Sequence, residues 1–100
     1  MILRILDSAI EDLDQGRRFY DRQQKGLGVY FLDSLLAEID SLVQRGGVHR
    51  KVFGYHRALA KRFPYAVYYK VEEERVAVIW RVLELRQAPS KIRRALGSTP

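Results

Sequence analysis

The spacing of hydrophobic residues changes partway along the chain, and the change divides it. From Phe31 onward, Phe31, Leu32, Leu35, Leu36, Ile39, Leu42 and Val43 recur at steps of three and four, with Asp33, Glu38, Asp40 and Gln44 between them. That spacing gathers the apolar set on one face of a helix, which Gly46 and Gly47 stop. A weaker helical pattern precedes it, with Ile10, Leu13, Arg17 and Tyr20 on one face and Asp12, Asp14, Asp21 and Arg22 mostly elsewhere. Ser8 and Glu11 have the spacing of a capping box, which predicts a helix from Ser8 to about Gln24. Between the helices, Lys25-Gly26-Leu27-Gly28 offers glycines for a reversal with positive φ. So short a link sets the helices antiparallel, as an αα-hairpin. Ile2 to Leu6 reads as a short strand ahead of them.

Beyond Gly47 the period becomes two. His56 to Phe63 alternates loosely, Tyr65 to Val71 is aromatic and β-branched, and Val76 to Leu85 is a long β-favouring run. Glu72-Glu73-Glu74 predicts a tight hairpin turn. Pro64 separates the first two strands, because it has no amide to give a ladder, and Pro89 ends the last. Ser90 is then placed to cap a short basic helix over Lys91 to Leu96. The order of elements is that of an α+β domain, an N-terminal strand and αα-hairpin packed on a mainly antiparallel sheet. It predicts a single domain over residues 1–96 and a short polar tail over 97–100.

The last strand is apolar on both sides. Strict alternation points Val76, Val78, Trp80 and Val82 one way and Ala77, Ile79, Leu83 and Leu85 the other, with only Arg81 interrupting. Two helices cover one face of a sheet. The second face is closed either by the chain's own loops or by a partner bound over Val76, Val78, Trp80 and Val82, and so short a chain favours the partner.

A length of 100 residues fits one domain. The absence of cysteine excludes disulfides, cysteine-held zinc and thiol catalysis, and suits a reducing compartment. Arg4 and Asp7 break the apolar start too early for a signal peptide or a membrane span, so a cytoplasmic protein without membrane contact is expected. The net charge of +6 is uneven: residues 1–44 carry five Lys/Arg against eight Asp/Glu, and residues 45–100 carry thirteen against four. A half at +9 attracts polyanions or an acidic protein, although the same charge also serves solubility.

The turn Gly26-Leu27-Gly28 followed by Phe31-Leu32-Asp33, the segment Tyr55 to Tyr69, and above all Arg62-Phe63-Pro64-Tyr65 leading through Val71 to Val76-Ala77-Val78-Ile79-Trp80-Arg81-Val82-Leu83 resemble the RelE/ParE superfamily of toxins. These are the toxin halves of type II toxin–antitoxin, or plasmid-stabilisation, modules. The resemblance runs from about Leu6 to Leu96 and implies a twisted, mainly antiparallel sheet with an N-terminal αα-hairpin. It also implies an antitoxin whose extended or helical segment wraps the toxin. Whether the chain forms a homodimer through the uncovered face when the antitoxin is absent is left open by the sequence. RelE-like members resemble ribosome-dependent mRNA endonucleases; ParE-like members act on DNA gyrase and need no nuclease site. Where many relatives have His after Val-Leu this chain has Glu84, the following basic pair is Arg86-Gln87, and the Asp before Pro is Ala88. Those departures point toward the ParE-like branch.

Cleavage of RNA through its 2′-hydroxyl needs a base, cations for the phosphate, and an acid for the leaving oxygen. Arg57, Lys61, Arg81 and Arg86 are the candidate catalytic cations, the first two being four apart on an expected strand and hence on one face. Arg81 is the sharpest of them; its structural alternative is an ion pair with Glu84 or with an acid on the helices. His49, beside Gly47 and Arg50, and His56, at the start of a strand, read as surface residues, and a carboxylate at Glu84 between Arg81 and Arg86 favours a salt bridge over a base. Tyr55, Tyr65, Tyr68 and Tyr69 would stack on bases or fill the sheet. No metal-ligand set, Ser/His/Asp set, phosphate loop or dinucleotide fingerprint is present, and no cofactor is expected. The resemblance thus implies a toxin held by an antitoxin, with gyrase or the ribosome and its mRNA as target; the residues alone are also consistent with a non-toxic basic binding module.

Overall fold

A computed structural model gives the fold over residues 1–97. In chain order the elements are β1 (Ile2–Ile5), α1 (Asp7–Gln23), α2 (Leu27–Asp40), α3 (Leu42–Arg45), β2 (Lys51–Val52), β3 (Tyr55–Leu59), β4 (Tyr65–Glu72), β5 (Val76–Glu84) and α4 (Pro89–Gly97). They form an α+β fold around a five-stranded sheet of order β1-β5-β4-β3-β2, with β1 parallel to β5 and the other pairs antiparallel. The expected tail lies, from residue 98, outside the described residues; Gly97 closes α4.

The hairpin of α1 and α2 packs closely because two glycines allow it. A Cβ on Gly16 would come within 2.4 Å of the Phe31 ring, and one on Gly28 within 2.3 Å of the Arg17 carbonyl oxygen. Gly28 therefore sits inside α2 as a point of helix contact, whereas Gly26 makes the reversal at φ 90. Asp21 braces the turn, its Oδ1 accepting from the Gly26 and Gly28 amides. The predicted capping box does not form. Helix α1 starts at Asp7 with Leu6 before it and no side-chain cap, and the Ser8 hydroxyl donates instead to the Trp80 carbonyl at 2.8 Å. Beyond Ile5 the edge of β5 has lost its partner strand, so this bond satisfies a main-chain group left open there.

Leu13, Phe31, Leu35, Ile39 and Leu42 meet Val67, Tyr69, Ala77, Ile79 and Val82 in the core between the helices and the sheet. At one end the rings of Tyr20, Phe31, Phe63 and Tyr65 pack with edge-to-face, stacked and tilted geometry, the paired centroids 4.8–6.2 Å apart.

The expected face of Val76, Val78, Trp80 and Val82 does not exist as a set. Strand β5 pairs Arg81 with Tyr68 and Ile79 with Tyr69, so Trp80 is an extra residue in a β-bulge. A bulge shifts the alternation beyond it, and Val82, 2% exposed, joins Ala77 and Ile79 in the helix-side core. The second face is closed in part by the chain itself, because Ile92 and Leu96 of α4 pack on Ala66, Tyr68 and Leu83. Val78 is fully buried, leaving Val76 and Trp80 half-buried. Helix α4 starts at Pro89, whose missing amide costs nothing in a first turn, so Ser90 lies within it and does not cap it. Strand β3 ends at Leu59, which leaves Lys61 outside any strand.

Candidate functional site

Arg81 occupies the most constrained position of the four candidate cations. The bulge turns it toward α1, where its Nε and Nη2 donate to the Asp12 carboxylate at 2.7 and 2.8 Å, while Nη1 donates to the Ala95 carbonyl of α4 at 3.0 Å. Asp12 Oδ2 also accepts from the Val82 amide at 2.9 Å, filling the next open position on the β5 edge. Asp12 is 8% exposed, and its bonds to the guanidinium raise the Arg81 pKa further. Three elements are pinned through one fork–fork pair. The sequence placed Asp12 on the polar side of its helix; the signal for its role was Arg81 itself, a cation in an apolar strand that needs an acid.

The other candidates lie apart. Arg57 faces the second side of the sheet beside Tyr68, which pairs with Arg81 on the next strand. Two strand spacings, about 10 Å, therefore separate the Arg57 and Arg81 backbones. Burial pushes the Tyr68 phenol up, and the Arg57 guanidinium pulls against that shift. Lys61 is exposed in the β3–β4 connection, so it and Arg57 share no strand face. Arg86 is exposed just past β5 and pairs with Glu84. Glu84 lies across from Tyr65, whose phenol is pushed to about 12, first by burial and then by Tyr20 and Glu84. An open cleft of about 620 Å³ lies between α1 and the end of β5, lined among others by Gln15, Arg22, Tyr65, Arg81 and Glu84.

Both histidines point to the helix side. His56 stacks on the Tyr69 ring and its Nδ1 donates to the His49 carbonyl. The Tyr69 hydroxyl accepts from the Gly47 amide at 2.9 Å and meets His49 Nδ1. Burial and then Arg45 lower the His49 pKa, keeping the ring neutral. Neither ring is bonded to any of the four cations. On the second face Lys70 lies over the Tyr55 and Trp80 rings, at 4.6 and 5.1 Å from their centroids. Among the described residues no group of His, Asp and Glu is placed to hold a metal, and no helix is long and apolar enough to cross a membrane. The arrangement can bind anions and hold a protein surface; it brings neither histidine to the candidate cations, and the carboxylates beside Arg81 and Arg86, those of Asp12 and Glu84, are taken up in ion pairs.

No protein-family model matches the chain, and no curated protein matches it. Among solved structures it is similar to a chain of the chromosomal ParDE TA system from P. aeruginosa, with 20% sequence identity, a TM-score of 0.75, and coverage of 86% of this chain and 97% of that one. At that identity the likeness is one of fold: this chain has the α+β architecture of a ParDE toxin–antitoxin chain.

Proposed function

We propose that the chain is the toxin of a type II toxin–antitoxin module, neutralised by a cognate antitoxin, and that it acts in the ParE-like manner on DNA gyrase. The observation that carries the reading is the state of the four candidate cations. Arg81 is bound to Asp12 and Ala95, Arg86 to Glu84, Lys61 is outside the sheet, and Arg57 lies beside the Tyr68 phenol. A phosphodiester-cleaving site needs a titratable base within hydrogen-bond reach of the reacting hydroxyl; both histidines are turned to the other side of the sheet, and Asp12 and Glu84 are held in ion pairs with Arg81 and Arg86. A toxin that works by binding needs no such base. The similarity to a ParDE chain supports the same branch, and the +9 half suits an acidic antitoxin segment.

The test adds the purified chain separately to a gyrase supercoiling reaction and to a translation reaction read by toeprinting. Inhibited supercoiling with uncut mRNA supports the proposal. Cuts at the ribosomal A site with supercoiling intact would replace it with the RelE-like endonuclease, and inactivity in both would leave a basic binding module.

A further inference from the structure

The β2–β3 hairpin is closed by two residues that both have left-handed backbone, Phe53 at φ 54 and Gly54 at φ 84. Such a turn favours Asn-Gly, and a bulky side chain in its first position is held against a steric penalty. Phe53 gives the fold little in return, because it is 43% exposed and belongs to neither core. Strain without packing benefit marks a residue kept for contact. Phe53 and Arg93 line both of two hollows beside α4. One, about 510 Å³, is lined with Pro89, Ser90 and Arg94; the other, about 440 Å³, with Tyr55 and Leu96. Arg93 and Arg94 are exposed and in no ion pair among the described residues. No acidic residue occurs from Ser41 to Val71 or in α4, and none lines either hollow among the described residues.

We propose that this surface binds single-stranded nucleic acid, with a base stacked on Phe53 and the phosphates following Arg93 and Arg94. A part-exposed ring that borders two hollows suits an extended chain crossing it, and paired bases offer no free face to such a ring. Stacking platforms beside a positive groove are how single strands are held without sequence preference. The site is separate from Arg57, Lys61, Arg81 and Arg86 and does not rest on the toxin reading.

Fluorescence anisotropy with labelled oligo-dT and oligo-rU tests it on the full chain. The expected result is binding of either single strand, weaker for the same length of duplex. Phe53→Asn is expected to weaken it about tenfold while raising the melting temperature, because Asn suits the left-handed position; the loss of binding then cannot come from unfolding. Arg93→Gln should make the salt dependence shallower by about 0.7 in log–log slope. Equal binding of duplex, unchanged affinity in Phe53→Asn, or an oligo-glutamate peptide that binds through Phe53 where oligo-dT and oligo-rU do not, would each overturn the proposal.

Discussion

Glu73 and Glu74 sit at φ 52 and 61 in the β4–β5 turn, a conformation that charged side chains with a Cβ adopt at a cost. Glu74→Gly removes that cost at one position and is expected to raise stability by about 1 kcal/mol, read from the midpoint of urea unfolding. At Arg81 the balance is reversed. Arg81→Ala leaves the Asp12 carboxylate buried against β5 with only the Val82 amide, and is expected to lose about 3 kcal/mol. Asp12→Asn should lose less, since an amide oxygen still accepts from Val82. At His49 the pKa is lower in the folded chain than in the unfolded one. The unfolded state therefore takes up the proton first as pH falls, and stability is lost below about pH 6.5. The melting temperature of the wild type should drop between about pH 7 and about pH 5 more steeply than that of His49→Asn; equal slopes would remove His49 from the account.

Helix α4 is the element whose role the structure changes most. Its Ile92 and Leu96 cover Ala66, Tyr68 and Leu83 on the sheet face away from the helical hairpin, where the sequence had expected a partner over Val76, Val78, Trp80 and Val82 instead. Ile92→Asp should detach it and expose that surface, seen as binding of a hydrophobic dye with the far-ultraviolet signal of the sheet retained; loss of the whole fold instead would make α4 part of the main core. The long elements were legible because each carries a sustained period: α2 through Phe31, Leu35 and Ile39, and β4 and β5 through their β-branched and aromatic runs. Strand β2 was not, because two residues carry no period. The Trp80 bulge was not either, since nothing local marks an inserted residue and every position after it was assigned to the wrong face. Ser8 was misread for a related reason. Its local pattern favours a cap, but the open edge of β5 offers its hydroxyl a long-range partner. Of the candidate site, the residue types were legible and their grouping was not. Arg57 and Lys61 look adjacent by spacing and are separated by the end of β3, and the acid that binds Arg81 lies 69 positions away in the chain.

At the scale of the whole molecule the charge division has a structural meaning. The slightly acidic half forms the strand β1 and the αα-hairpin, and the +9 half forms the rest of the sheet together with α4. A charge division of this kind would steer an acidic partner toward the basic half before contact, an effect that salt weakens. Induction of the chain alone in a bacterium tests whether it is a toxin that such a partner restrains. Growth is expected to arrest soon after soluble protein accumulates. Unimpaired growth at high soluble expression would contradict it.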